Sequence, residues 1–322
     1  MDTIRYQLKI INRQYGLYSK TKISMKNNLI SLLDQTYPGV NALFSSSARE
    51  DISQKWVDFT TSFWYLDCVR SLSLTTFTQR YQKWCKWHGY KFSNVKATKI
   101  HEGTKNQIAM LPKDTITKLL IRQAIEQLKS TSMTVELLRA EMNRLAEQLP
   151  EYPVVMVMAI SGVGKSLGPQ LIAEIGDMTR FTNKSSLAAY AGVDPSVNQF
   201  GTHESKSTAS SKTGSPELRK TLFLVMSALL QTTPAHDPVF QFLNKKRAEG
   251  KFYYVYMTAG ANKFLRVYHG RVKKPFLSLA LADRLISALT ISAGAFAAAF
   301  LCYFFSSCAY EFYINPFLTF YL

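Results

Sequence analysis

Hydrophobic positions recur at helical spacing along most of the chain. In residues 1–44, leucine and isoleucine return every three or four positions until a Tyr37-Pro38-Gly39 breaker, which predicts one or two helices that end there. Residues 45–105 are rich in aromatic side chains at similar spacing. Tryptophans in such a pattern belong to a core more often than to a base-stacking surface, so we expect a core here. The four tryptophans are Trp56, Trp64, Trp84 and Trp87.

A long helix is predicted after Pro112, with Asp114 as its N-cap and Pro150 just beyond its end at about Leu149. Its apolar positions keep a heptad phase, stepping alternately by four and by three residues. This pattern is typical of a coiled coil that joins copies of the chain, and equally of a helix that packs on its own chain. The seam consists of Thr117, Ile121, Ala124, Leu128, Thr131, Val135, Leu138, Met142, Leu145 and Leu149.

A helix-hairpin-helix is predicted shortly after this long helix. An apolar helix at residues 154–158 leads into a tight turn at Gly162 and Gly164, and a second helix continues to about residue 175. Such a turn offers backbone N–H groups and the positive end of the second helix to a phosphate, with Lys165 beside it. We therefore expect nucleic-acid binding that does not depend on base sequence.

A serine-rich segment precedes an apolar helix at residues 222–230 and carries the candidate chemistry. Ser211 lies there close in sequence to Lys212 and Arg219. A serine that attacks a phosphodiester needs its target neutralised by cations, a role that Lys212 and Arg219 suit. A phosphate-binding turn without a nucleophile is the alternative.

Positive charge dominates the composition: 39 Lys and Arg stand against 22 Asp and Glu, a formal net charge of +17. The expected partner is a polyanion, either nucleic acid or an anionic membrane surface. A basic cluster also leads into Tyr253, Tyr254 and Tyr256, which suits a nucleic-acid groove or, alternatively, a solvated helix face. With Gly162, Gly164 and Lys165, the candidate nucleic-acid ligands are Lys206, Lys220, Lys245, Lys246, Arg247, Lys263 and Arg266.

Four cysteines and five histidines show no metal-ligand spacing, so neither a metal site nor a disulfide framework is predicted, and a reducing cytosol fits. The first residues lack the apolar segment of a signal peptide, so export is not expected. Residues 285–310 carry no charge, and residues 291–305 are apolar enough to span a bilayer. A frameshift or fusion product is our preferred explanation of this tail, with a membrane anchor and a buried helix as alternatives.

These patterns predict a mainly α-helical protein, in which a long coiled-coil helix is followed by a compact domain that contains a helix-hairpin-helix. The predicted divisions are a helical region at 1–112, the coiled-coil helix at 113–150, a compact domain at 151–274 and an apolar tail at 275–322.

The order of these motifs resembles the transposases of the insertion-sequence one-hundred-ten family, the bridge-RNA-guided recombinases. The resemblance covers residues 5–274 and is strongest after Val154. The matching motifs lie at residues 32–39, 161–164, 173–177, 180–181, 187–195, 211–214 and 218–219.

The resemblance implies a DNA recombinase whose serine forms a transient phosphoserine bond, guided by a structured RNA that pairs with donor and target. Ser211 is the matching serine, although Ser210 or Ser207 could take its place. DNA, guide RNA and a second copy of the chain, joined through the coiled coil, are the implied partners. A bacterial cytoplasm, with the protein on the nucleoid, is the implied location, and attachment to a membrane is not expected.

Members of the family begin with a RuvC-like domain whose four acidic residues hold a divalent metal, and this sequence resembles only the part of the family that comes after that domain. Asp2 alone cannot replace these four acidic residues. Mg²⁺ is therefore a cofactor expected for the family whose ligands are missing from this sequence. One alternative is therefore a truncated, catalytically inactive remnant that binds nucleic acid. Another is a membrane-tethered basic protein.

Overall fold

The structure is a computed structural model that describes residues 3–45, 48–49, 52–153, 155, 164–195, 199–200, 203–204 and 210–292. For residues 199–200, 203–204 and 274–292 it describes the backbone alone. The chain divides into two compact units. Unit 2 is Ile10–Arg144, and unit 1 is the described part of Met1–Lys9 and Leu145–Leu322. The division falls inside the first helix and near the end of the sixth.

Helices make up nearly all of the regular structure within the described ranges, which confirms the prediction of a mainly α fold. The first six are α1 (Thr3–Asp34), α2 (Lys55–Ser62), α3 (Asp67–Arg70), α4 (Leu74–Trp87), α5 (Asn94–Gly103) and α6 (Thr115–Ala146). Unit 1 continues with α7 (Gly164–Ile175), α8 (Lys184–Ala191), α9 (Pro216–Thr232), α10 (Pro238–Ala248) and α11 (Tyr253–Ser292). Short 3-10 turns lie at Val40–Leu43 and Met178–Arg180, and a two-residue hairpin pairs β1 (Gln199–Phe200) with β2 (His203–Glu204).

Unit 2 is built around an aromatic core. The ring of Phe59 is fully buried, stacks on Phe63 at 4.7 Å between centroids and meets the edge of Trp84 at 5.6 Å. Trp56 is also buried, and Trp64 packs against the cluster while partly exposed. The prediction of core tryptophans is wrong for Trp87, which is 88% exposed at the end of α4.

The long helix α6 begins one residue after its predicted cap. The Asp114 carboxylate accepts a hydrogen bond from the Thr117 backbone N–H at 2.7 Å, which holds the pKa of Asp114 below its usual value. All but one of the seam positions are buried, and Leu138 is half-buried. Ile121, Ala124 and Leu128 belong to the aromatic core of unit 2. The seam therefore packs on its own chain, at least over these positions.

Unit 1 contains the second arm of the predicted hairpin. Helix α7 covers the expected residues, and Leu171, Ile172 and Ile175 are buried in it. The turn at Gly162 and most of the first arm lie outside the described residues, so the helix-hairpin-helix stays a prediction. Gly164 begins α7 at a φ of +53°, a value that favours glycine.

Helix α11 continues to Ser292 and crosses the predicted boundary at residue 274 without interruption. In the ranges that the structure covers, no helix combines the length and the apolar character needed to cross a bilayer. Most of the apolar run at residues 291–305 lies outside those ranges. The four predicted divisions of the chain therefore stay predictions.

Candidate active site and comparisons with known proteins

The candidate serine lies in a clamp made by two segments of unit 1: residues 190–195, which include the end of α8, and residues 210–215. The backbone N–H of Ser211 donates to the Asp194 carbonyl at 2.9 Å, and that of Lys212 donates to the Gly192 carbonyl at 3.2 Å. The N–H of Ser215 donates to the Tyr190 carbonyl at 2.7 Å. These three bonds fix the path of residues 211–215 against the end of α8.

Two glycines allow this close approach. Gly192 ends α8 at a φ of +64°, a left-handed conformation that glycine adopts without strain. A Cβ at Gly214 would lie 2.1 Å from the Tyr190 carbonyl oxygen, closer than any side chain permits. A side chain at either position would therefore separate the two segments of the clamp.

The Ser211 hydroxyl is held by a carboxylate. It donates to Asp194 Oδ1 at 2.5 Å and receives a longer hydrogen bond, 3.3 Å, from the Thr213 hydroxyl. Ser211 itself is half-buried, and the following Lys212 is exposed with a left-handed backbone at φ +55°. A short hydrogen bond to a carboxylate is the arrangement in which a serine can be deprotonated.

Two arginines flank the clamp. Arg219 Nη1 donates to the Ala191 carbonyl at 3.1 Å. On α11, the Asn262 side chain donates to the Val193 carbonyl at 3.4 Å, and Arg266 Nε donates to the Asn262 amide oxygen at 2.8 Å. A guanidinium carries several N–H donors, so either arginine can hold the loop and still face a phosphate.

Glu174 on α7 binds the second segment of the clamp through Ser215. Its side chain is almost fully buried, and the Ser215 hydroxyl donates to its Oε2 at 3.5 Å. The same Ser215 oxygen accepts the Leu218 N–H at 3.2 Å and so caps α9. The carboxylate thereby links α7 to the start of the helix that carries Arg219.

The structure brings together only part of the predicted site. Ser211 and Lys212 lie in the clamp, and Arg219 and Arg266 lie beside it. Lys165 is exposed at the start of α7, Lys220 pairs with Glu217 at 3.7 Å, and Lys263 is exposed on α11. Gly162, Lys206 and Ser207 lie outside the described residues. The predicted basic cluster of Lys245, Lys246 and Arg247 forms the last turn of α10.

Asp194 and Glu174 were missed by the sequence analysis. Glu174 is 41 residues from Ser215 and Asp194 is 17 residues from Ser211. Neither separation along the sequence predicts a contact, and only the fold brings these residues together. Both residues lie in segments that carry the family resemblance, 173–177 and 187–195, but the sequence analysis assigned neither of them a role.

No magnesium site can be assigned among the described residues, because they contain no group of three or more histidine, cysteine, aspartate or glutamate side chains placed to hold a metal ion. At the clamp, Asp194 is the carboxylate beside the serine, and its Oδ1 engages the hydroxyl. The clamp does not fit the several oxygen ligands that Mg²⁺ requires.

Comparison with known proteins places this clamp inside a matched segment. Residues 155–241 match the family described as Transposase IS116/IS110/IS902. The chain is also 29% identical over 127 residues to a pilin gene-inverting protein of Moraxella lacunata, a match that covers 39% of each chain. The corresponding protein of Moraxella bovis is 29% identical over 123 residues, or 38% of each chain. The chain thus spans about two fifths of the length of these curated relatives, and its residues 155–241 form a domain similar to the transposases of the IS116/IS110/IS902 family.

Proposed function

We propose that this chain acts in DNA transposition or recombination, with Ser211 as the nucleophile. The observation that carries the proposal is the 2.5 Å hydrogen bond from the Ser211 hydroxyl to Asp194, in a clamp that Arg219 and Arg266 flank. The match to a transposase family and the net charge of +17 support DNA as the substrate. The name of the Moraxella relatives, gene-inverting proteins, agrees with a recombination activity.

In the proposed reaction, Asp194 accepts the proton of Ser211 as the serine oxygen attacks a phosphorus atom of the DNA backbone. A phosphoserine bond forms, the phosphorus–oxygen bond to the leaving strand breaks, and the leaving oxygen takes up the proton. Arg219 and Lys212 neutralise the charge that develops on the phosphate. A hydroxyl of a second DNA strand then attacks the phosphoserine, Asp194 passes the proton of that hydroxyl to the departing serine oxygen, and the strands are joined with Ser211 restored.

Guide RNA, Mg²⁺ and an acidic metal-binding domain belong to this proposal through the family resemblance. Mg²⁺ would supply Lewis-acid stabilisation of phosphate charge at that separate domain. A location on the bacterial nucleoid follows from the same proposal.

The second candidate function is nucleic-acid binding without strand cleavage. The observation that favours it is that both the N–H and the hydroxyl of Ser211 bind Asp194, which is how a serine stabilises a loop without performing chemistry. Under this alternative, the clamp presents Arg219, Arg266 and Lys212 to a phosphate, and no phosphodiester bond is broken.

The test is a search for a covalent protein–DNA adduct. The full chain is incubated with labelled DNA from the ends of the element that encodes it, RNA transcribed from that element, and Mg²⁺. We expect an adduct in the wild type, its complete loss in Ser211→Ala, and formation slowed by at least about a hundredfold in Asp194→Asn, the scale of general-base catalysis.

Ser210→Ala is the matched control, because it removes a hydroxyl from the adjacent residue. An adduct that survives in Ser211→Ala would refute the role of Ser211. No adduct in the wild type, with DNA binding that weakens steeply as salt rises, would establish the binding-only function for this chain.

Self-association is also part of the proposal, but through a face of α6 other than the seam. Five large apolar side chains on this helix are exposed: Ile116, Leu119, Leu120, Met133 and Leu137. Met133 and Leu137 are four residues apart and therefore lie on one face. Apolar groups in such a position are suited to a contact between copies of the chain.

We expect the double variant Met133→Lys/Leu137→Lys to lower the mass of the particle in sedimentation or light scattering, because it places charges in the proposed contact. Thr75→Lys/Gln79→Lys is the control, since both residues are exposed polar positions four residues apart on another helix of unit 2, α4. An unchanged mass in the first variant would mean that this face of α6 joins no copies.

A further inference from the structure

We propose that the turn between α10 and α11 is a binding surface for single-stranded nucleic acid, on which unpaired bases stack. This aromatic–basic surface consists of Lys245, Arg247 and residues 251–254. It is a different part of unit 1 from the Ser211 clamp. The inference rests on the proposal that the chain acts on nucleic acid, but not on the role of Ser211.

The aromatic side chains of this surface are unusually exposed. Phe252 is 84% exposed and Tyr254 is 73% exposed, and the neighbouring Tyr253 and Val255 are exposed as well. The rings of Tyr253 and Tyr254 meet edge to face, 5.3 Å apart between centroids. Phenylalanine is among the residues most often found inside proteins, so an exposed group of rings indicates a surface that a ligand covers.

Positive charge surrounds these rings. Gly250, with a φ of +72°, reverses the chain so that Lys251 follows directly on the last turn of α10. Lys246 forms an ion pair with Glu249 at 2.7 Å. That hydrogen bond, together with the charges of Lys245 and Lys251, lowers the pKa of Glu249. Several cations thus share one carboxylate, and the surface keeps a net positive charge.

The start of α11 adds to this potential. Its first turn contains Tyr253, Tyr254 and Tyr256 and no acidic side chain. The positive end of the helix dipole is therefore not neutralised from within its own first turn. A phosphate backbone that follows Lys245, Arg247 and Lys251 would bring its bases towards Phe252 and Tyr254.

This combination favours a single strand over a duplex. Bases in a duplex are already stacked on one another, so a duplex would use only the cations. Unpaired bases can also stack on Phe252 and Tyr254, and this contact tolerates any base because each has an aromatic face. Core positions of protein–protein interfaces are depleted in lysine, which makes a protein a poorer fit for this surface.

The test measures binding of the full chain to fluorescent oligo(dT), oligo(U) and a DNA duplex of equal length. We expect Phe252→Ala and Tyr254→Ala each to weaken oligo(dT) binding about tenfold, with duplex binding changed less than about twofold. Tighter binding of oligo(U) than of oligo(dT) would identify the natural ligand as RNA, and the reverse preference would identify it as single-stranded DNA. Tyr6→Ala, which removes an exposed ring from α1, is the control and should change neither affinity.

The cations have a separate signature. In Lys245→Gln/Arg247→Gln/Lys251→Gln, the slope of log affinity against log salt for oligo(dT) should fall by about 2, since each phosphate contact contributes about 0.7 for a single strand. The ring variants should leave that slope unchanged.

Equal losses on the single strand and the duplex, or none on either, would overturn the inference while leaving the proposed function intact. Binding of anionic lipid vesicles that Phe252→Ala abolishes, with unchanged oligonucleotide binding, would identify the surface as a membrane contact and would also overturn it. Failure of the wild type to bind any nucleic acid would overturn the proposed function together with this inference.

Discussion

Replacing Gly214 with alanine is expected to destabilise unit 1 by about 3 kcal/mol, at the upper end of overpacking effects, and to open the Ser211 clamp. The new Cβ would lie 2.1 Å from the carbonyl oxygen of Tyr190 and 2.6 Å from that of Ala189. Both oxygens belong to the backbone of α8 and cannot rotate away, so the two segments must separate. Urea unfolding followed by far-ultraviolet circular dichroism measures the loss.

Gly270→Ala is the matched control for this prediction. Gly270 lies within α11, and a Cβ there would meet no other atom within 4 Å. Alanine in a helix is favoured over glycine by about 1 kcal/mol, so this variant should be neutral or more stable than the wild type. Equal stability of Gly214→Ala and Gly270→Ala would show that the segments of the clamp are not in contact.

The opening of the clamp has its own readout. The bond from the Ser215 N–H to the Tyr190 carbonyl protects that amide from exchange with solvent. Amide hydrogen exchange at residues 211–215 should therefore accelerate in Gly214→Ala and stay at the wild-type rate in Gly270→Ala.

Replacing Arg5 with alanine is expected to destabilise unit 1 by about 3 to 5 kcal/mol, the usual effect of removing one partner of a buried ion pair. Arg5 Nη2 donates to Glu151 Oε2 at 3.0 Å and lies 2.8 Å from Oε1, and the side chain of Glu151 has no exposure to solvent. Burial, together with the charge of Glu151, raises the pKa of Tyr268. Without Arg5, Glu151 would keep its charge away from water and lose its nearest cation.

Arg122→Ala is the control, because it removes an arginine from an ion pair with Glu126 that is largely exposed on α6. Its expected effect is about 0.5 kcal/mol or less. The double variant Arg5→Met/Glu151→Met should cost clearly less than the two single replacements added together, since it leaves no unpaired charge. A loss below about 1 kcal/mol in Arg5→Ala would mean that water reaches Glu151.

The sequence predicted features that depend on nearby residues. Asp114 caps α6 because an aspartate three residues before a backbone N–H can bind it. The buried seam of α6 follows from helical periodicity, but periodicity does not tell whether the partner is the same chain or a second copy. The packing of Ile121, Ala124 and Leu128 on the core of unit 2 decides that question for this part of the helix.

Contacts between distant parts of the chain were not predictable in this way. Nothing in the sequence around Asp194, Glu174 or Glu151 indicates a role for its carboxylate. Each carboxylate binds a residue that is distant in sequence and that only the fold brings near. Trp87 illustrates the opposite error. It is three residues from Trp84, yet the buried face of α4 is formed by Phe77, Tyr81, Trp84 and Cys85, and Trp87 lies more than a quarter turn around the helix from the centre of that face. Residue type identifies candidates for a core or a site, but burial depends on which face of the element meets the core.

The division of the chain implies an order of events during synthesis. Unit 2 is one continuous stretch, whereas unit 1 needs its first residues together with those from 145 onward. All of unit 2 has therefore been synthesised before Glu151 is made, 146 residues after its partner Arg5. Unit 2 can complete its own core while the start of α1 still lacks its ion pair, and unit 1 assembles only after a long loop has closed. During synthesis from the N-terminus, the aromatic core of unit 2 can therefore fold before unit 1, which carries the candidate serine.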